Sequence, residues 1–485
     1  MSRPASKKAA PQRPAAPALP AWAAALPYLP LWLAHQLRVT EQPGCSVAVA
    51  HHGHVLAEFA LGHCGSGAKL TPRHRFRVAS HSKTFTAVAV LKLREQGRLR
   101  LDDAIGQFVP GLQAEVAGAT LAQLLSHTAG LVRDGFDAGQ WSDRRPFLDE
   151  AALRADLAGG PVLPANCRFK YSNHGYGLLG LAIEALTGEP YAAWVQREVV
   201  QAAGLKHTVP DAPLLPEAAP LAQGHSAKWP LGRRVAIPGR NATNVLAAAT
   251  GFISTAGDLA RFYASLSPEA AQSVLSPASR RELVRRQWRD PYGTVERWYG
   301  LGTISGSTPG GDATWDHFGH TGGFQGTLTR TVCVPAQGLS LSILSNAADG
   351  MATVWVDGAL QILRTAAQHG PPSPHAAPWQ GRWWSLWGAS DLLPLGGLVF
   401  VANPGLGNPL LDAPQIQPEA KVEAATRHGR FVQAGGFASH GETARLEQDV
   451  RGRAQALWLG GTRLQTEAQA AKELARRYAD AGGPR

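Results

Sequence analysis

Strands at both ends of one long unit, with helices between them, constrain this chain more than any other pattern. CSVAVAHHGHVLAEFALG (45–62) reads as two strands around a turn at His52–Gly53. Nearly three hundred residues later, GTLTRTVCVPAQGLSLSILSN (326–346) reads as a second hairpin around Pro335–Gly338. Apolar helical stretches fill the interval, ended by glycines such as Gly97 and Gly188, which suit helix C-caps. GMATVWVDGALQILRTAAQ (350–368) predicts a helix after the second hairpin. A sheet assembled from both ends of a unit, with a helical region inserted, is an α+β architecture.

The chain has 485 residues, too many for one ordinary core. The boundaries read from composition are a weakly ordered tail at 1–35, a main unit at 36–369, a linker at 370–378 and a smaller unit at 379–485. HGPPSPHAAP marks the linker. Past it lie Trp379, Trp383, Trp384 and Trp387, several short β-like runs and a last helix, TEAQAAKELARRYADA (466–481). Residues 1–20 are basic and rich in Ala and Pro. The next stretch, AWAAALPYLPLWLA (21–34), has the apolarity of a signal-peptide core, but Pro27 and Pro30 interrupt it and no cleavage site follows. We expect an uncleaved tail leading into a first helix in a cytoplasmic protein. A periplasmic location is the alternative if 21–34 serves in export.

Net charge is +11, yet the basic residues are scattered and no nucleic-acid-binding motif is present. No apolar run is long enough to span a membrane. Cys45, Cys64, Cys167 and Cys333 form neither a CxxC pair nor a metal-ligand spacing with histidine, so reduced thiols and no metal are expected. The HHGH turn (51–54) reads as exposed polarity.

Chemistry enters at VASHSKTFTAVAVLKLREQG (78–97), an apolar helix that opens on polar residues. Serine needs a base before it becomes a nucleophile. Residues three apart on a helix share a face, with Cβ atoms roughly 5–6 Å apart, which is the relation between Ser80 and Lys83. Burial and the positive end of the helix both favour an uncharged Lys83. S-x-x-K arises by chance about once or twice in a chain of this length. Here it also occurs at Ser66–Lys69, but between glycines and with no apolar helix behind it. Tyr171-Ser172-Asn173 stands where a loop becomes a second apolar helix. It offers a phenol, whose pKa a nearby lysine cation would lower, and an amide. FGHTGGFQG (318–326) places His320 and Thr321 before the Gly322–Gly323 pair, just ahead of a strand.

Together, Ser80-x-x-Lys83, Tyr171-x-Asn173 and His320-Thr321-Gly322 resemble, in order and wide separation, the three motifs of the serine β-lactamase and D,D-peptidase family. The likeness is to its class C-like, penicillin-binding branch, with the related esterases and D-aminopeptidases. LLSHTAGL and TGFISTAGDLARF are similar to further family stretches. The resemblance covers roughly residues 40–368. It implies an antiparallel sheet flanked by helices with an inserted all-helical region, and a small C-terminal β-rich domain. It also implies acyl-enzyme hydrolysis of an ester, amide or peptide without cofactor or metal. Ser80, Lys83 and Tyr171 would be catalytic. Asn173, His320, Thr321, Gly322 and Gly323 would bind substrate, and the Ser80 and Gly323 N–H groups would form the oxyanion hole. One position departs from the family pattern: His320 stands where a lysine is usual. Histidine is mostly neutral near pH 7, so strong hydrolysis of acidic antibiotics is not expected. A catalytically silent module that only captures β-lactams or peptides is the competing reading.

Overall fold

The computed structural model describes residues 19–478, apart from 66, 229–231, 309–313, 424–425 and 435–438. Ser66, and with it the second S-x-x-K, therefore lies outside the described residues.

Eight antiparallel strands form the main sheet: β1 (Gly44–His51), β2 (His54–Gly62), β3 (Trp288–Arg289), β4 (Arg297–Tyr299), β5 (Ile304–Ser307), β6 (Asp316–Phe324), β7 (Thr327–Val334) and β8 (Leu339–Ser345). Their spatial order is β2-β1-β8-β7-β6-β5-β4-β3. The two hairpins expected from sequence thus meet at the β1–β8 pair, where Val47 faces Ile343 and Val49 faces Leu341. The chain leaves the sheet at β2 and returns at β3, and the intervening residues carry the helices. Strands β1 and β8 are buried along nearly their whole length because both faces are covered. One face packs against α2 (His81–Glu95), α3 (Asn173–Thr187) and α4 (Ala256–Ser265), in the cluster that holds Phe85, Phe252 and Phe262. The other packs against α1 (Tyr28–Val39) and α5 (Ala352–His369).

The N-terminal expectation needs correction. Residues 21–35 are not weakly ordered: Ala21–Ala25 forms a 3-10 turn and α1 follows, with Trp22, Leu29, Trp32 and Leu33 buried. The apolarity that mimics a signal core is instead the inner face of a docked helix. Pro27 and Pro30 sit at or beside its first turn, where proline is tolerated.

The C-terminal unit is a meander of eight strands: β9 (Gly381–Ser385), β10 (Gly388–Leu395), β11 (Leu398–Ala402), β12 (Gln415–Glu423), β13 (Thr426–Gln433), β14 (Thr443–Gln448), β15 (Ala454–Leu459) and β16 (Thr462–Leu464). Trp384 and Gln465 exchange backbone hydrogen bonds of 2.8 and 2.9 Å, so the last strand returns to the first and closes a small barrel. Trp379, Trp383, Ile416, Phe431 and Leu457 fill it. Ala376 lies in the same cluster, so the last part of the segment read as a linker already belongs to the barrel core. The final helix, α6 (Glu467–Tyr478), buries none of its residues.

Helix α1 joins the two units. Tyr28 Oη donates to Asp391 Oδ2 (2.9 Å), Trp32 Nε1 to the Leu406 carbonyl (3.2 Å) and Gln36 Nε2 to the Pro404 carbonyl (2.6 Å). Arg382 closes a two-pronged pair on the same Asp391 carboxylate. At Gly358 on α5 an added Cβ would lie 2.0 Å from the Gly407 carbonyl, so only glycine permits the barrel to approach this closely. Because Trp32 is wholly buried at this junction, Trp32→Ala should destabilise the protein by about 3–5 kcal/mol. Denaturant unfolding measures this, and a loss below about 1 kcal/mol would show that the junction contributes little.

Candidate active site

Ser80 is reached through a backbone turn that is costly for its residue type. Ala79 has φ 47°, a left-handed conformation that non-glycine residues rarely adopt. The turn ends the extended run at Val78 and starts α2 with Ser80 as N-cap. A serine there ordinarily spends its hydroxyl on the helix N–H groups. Ser80 makes no such capping bond. Its Oγ lies 3.2 Å from Lys83 Nζ and accepts a 2.8 Å hydrogen bond from Tyr171 Oη. The neighbouring polar residues serve structure: Ser82 Oγ donates to the Ala79 carbonyl (2.5 Å), and His81 Nδ1 pairs with Tyr263 Oη (2.9 Å).

Lys83 is fully buried, and burial holds its amine well below the ordinary lysine value. An uncharged amine has two N–H bonds and one lone pair. Such an amine would donate to Asn173 Oδ1 (2.7 Å) and the Ala249 carbonyl (2.9 Å) and turn its lone pair to the Ser80 hydroxyl. Tyr171 differs from expectation. Burial raises its pKa, and the Ser80 hydrogen bond and the Arg133 charge lower it by less. Tyr171 is therefore a phenol that donates to Ser80, not a phenolate.

Asn173 opens α3, and Ser172 caps that helix. Its Nδ2 donates to Asp134 Oδ1 (2.6 Å), which also accepts from Trp141 Nε1 (2.9 Å). Its backbone N–H donates to the Arg133 carbonyl (3.0 Å). His127, also left-handed at φ 59°, lies against the Tyr171 ring with centroids 4.1 Å apart and accepts the Ser172 N–H at Nδ1 (3.1 Å). The LLSHTAGL stretch thus floors the tyrosine.

The HTGG segment does not precede a strand; it lies within β6, between β5 and β7. Two glycines are compatible with a strand here because space is short. A Cβ on Gly322 would lie 2.1 Å from the Val78 carbonyl and 2.5 Å from Thr329 Oγ1. Gly322 thereby lets β6 lie against the Val78 backbone, two residues before Ser80, while Gly323 faces the open site. His320 is buried and its pKa is pulled down to about 3, chiefly by burial. Its Nδ1 lies 2.6 Å from the Thr321 carbonyl and so carries the proton. Nε2 then accepts from Tyr299 Oη (3.0 Å). Both ring nitrogens are occupied, and His320 supplies no cation.

These groups border a cavity of about 530 Å³. Ser80, Tyr171, Asn173, His320, Thr321 and Gly323 line it; Lys83 lies buried behind Ser80, and Gly322 is covered by Val78. Sequence reasoning missed Arg133, Asp134, Tyr299 and the aromatic wall of Trp141, Phe169, Trp288 and Trp298. None of them carries a motif; the segment between Leu131 and α3 and the edge strands β3 and β4 bring them in. No cluster able to hold a metal ion occurs among the described residues, and none of their helices is long and apolar enough to cross a membrane.

Residues 33–364 match the family model described as Beta-lactamase. This chain belongs to the Beta-lactamase family. It is 30% identical over 391 residues to penicillin-binding protein 4 of Amycolatopsis lactamdurans, a match covering 73% of this chain and 92% of that protein. It spans 36% of the length of the Staphylococcus aureus relatives that it matches at 29% identity over 180 residues. Among solved structures, the octameric penicillin-binding protein homologue from Pyrococcus abyssi superposes with a TM-score of 0.63 at 21% identity, over 90% of this chain and 99% of that one. That likeness extends the shared fold into the barrel. A D-stereospecific amidohydrolase from Streptomyces superposes with a TM-score of 0.55 at 24% identity, over 67% of this chain and 98% of that one. The match places this Beta-lactamase chain in a fold shared by penicillin-binding proteins and amidohydrolases.

Gly322→Ala tests the close approach of β6. The methyl group must displace the strand from Val78, so stability should fall by about 1–3 kcal/mol and labelling of the site by a serine-directed probe should slow. Unchanged labelling would show that the spacing of β6 from Ser80 is unimportant.

Proposed function

We propose that this protein is a serine hydrolase that cleaves an ester or amide of a small molecule or peptide through an acyl-enzyme on Ser80. The observation that carries the reading is the contact of one serine oxygen with both a buried lysine amine and a phenol, at 3.2 and 2.8 Å. In this reading Ser80 Oγ attacks the substrate carbonyl carbon as its proton passes to Lys83 Nζ. The carbonyl oxygen becomes an oxyanion beside the N–H groups of Ser80 and Gly323. Among the described residues, the Ser80 N–H has no backbone acceptor, which leaves it free for that role. Collapse of the intermediate breaks the ester or amide bond. The leaving oxygen or nitrogen takes a proton through Tyr171, and water then releases the acid and restores Ser80. Asn173 is a positioning residue that holds the Lys83 amine, and Thr321 is left to meet the substrate. The neutral His320 leaves the third motif without the fixed charge that an acidic antibiotic would need.

A fluorophosphonate probe should label the wild type and fail on Ser80→Ala. Labelling that survives the substitution would overturn the assignment, and labelling without turnover of p-nitrophenyl esters, D-amino-acid amides or nitrocefin would favour the silent module.

The pH profile provides an independent check. An ordinary lysine has only about one free amine in a few thousand at pH 7. A depressed pKa keeps the amine free there, so kcat/KM should rise with pH and reach its plateau far below the ordinary lysine value of 10.5. A rise appearing only as pH approaches that value would exclude Lys83 as the resting base.

A further inference from the structure

The third motif is electrically silent, yet the site is not. Arg133 lines the cavity, and its side chain is 64% exposed. Its backbone is fixed by the machinery itself: the Arg133 carbonyl accepts the Asn173 N–H, and the preceding Val132 carbonyl accepts Ser172 Oγ (2.7 Å). The guanidinium carbon lies 5.1 Å over the Tyr171 ring, so it stands beside the phenol that contacts Ser80. Only Nε is engaged, with Asp134 Oδ2 at 3.0 Å. The two terminal nitrogens, the fork that matches a carboxylate, have no partner among the described residues.

Local charge points the same way. Asp134 is turned inward, 13% exposed, with its other oxygen committed to Asn173 and Trp141. Lys170, adjacent in chain to Tyr171, has no carboxylate partner among the described residues. Its pKa is lowered first by burial and then by the Arg133 charge, so the two cations lie close enough to repel. Asp134 pairs with Arg133 alone of these two cations, and both of its oxygens are engaged. Arg297 differs, because its Nη2 is paired with Asp290 Oδ2 at 2.6 Å in a strand-end hairpin.

We propose that Arg133 is a specificity-determining residue that binds a carboxylate carried by the substrate, so that the preferred esters or amides are acidic ones. This rests on the acyl-enzyme reading and names the substrate class of that site. Anion recognition is thereby moved from the third motif, where His320 is neutral, to the segment that also positions Asn173. Phe169 and Trp141 give the neighbouring surface an apolar character suited to the substrate's carbon frame.

The test uses matched aryl esters that differ only in carrying a carboxylate or a carboxamide. The group is placed in the acyl chain in one pair and on the aryl ring in the other. Wild type should favour the carboxylate member of at least one pair by about tenfold or more in kcat/KM, with the preference shrinking as salt rises. Arg133→Gln should abolish the preference, and Arg133→Lys should keep part of it. The proposal is overturned if wild type shows no preference in either pair, if the preference survives Arg133→Gln, or if Arg297→Gln removes it instead. Fluorophosphonate labelling of Ser80, run in parallel, separates the outcomes. Labelling with no charge preference defeats only this inference, whereas labelling that ignores Ser80→Ala defeats the acyl-enzyme reading beneath it.

Discussion

A buried amine that cannot afford its charge organises this molecule. Lys83 has no room for solvent, and its hydrogen-bond partners suit the free base: two carbonyl-type oxygens and one hydroxyl. Isolated ammonium groups are too costly to bury unpaired. The surrounding structure therefore has two tasks, to exclude water from the amine and to present it with one serine. The sheet and α2, α3 and α4 perform the first. The left-handed turn at Ala79 and the Asn173–Asp134 bond perform the second.

A charged Lys83 would favour a phenolate at Tyr171 and would oppose protonation of His127 and His320, which lie near enough to feel it. Burial already holds both imidazoles below their ordinary value and the phenol above its own. In the acyl-enzyme reading, a lowered amine pKa spares Tyr171 that pull and leaves it a proton to give.

Legibility in the sequence followed locality. The two hairpins, the Ser80 helix, the Tyr171 junction and the Gly188 cap are set by neighbours within a few residues, and they read correctly from turn chemistry and periodicity. The HTGG strand did not, because two glycines look like a turn until the Val78 backbone is seen against them. A first helix was expected, but the order of residues 21–35 was not, because partners of that apolar face lie more than three hundred residues away. Arg133, Asp134 and Tyr299 had no local signal, since a loop or short edge-strand residue acquires a role only from what folds against it. His320 was legible as a departure, but not the bond to Tyr299 that fixes its tautomer.

The junction at α1 also bears on the order in which the molecule can be made. The apolar face carrying Trp32 finds part of its cover only in the barrel, which is synthesised more than three hundred residues later. Synthesis runs at about 5–20 residues per second, so that face waits on the order of tens of seconds for the loop around Leu406. Over that interval its tryptophan and glutamine side chains lack the carbonyls that they meet in the folded protein. The docking of α1 is thus completed only once the barrel has followed it out.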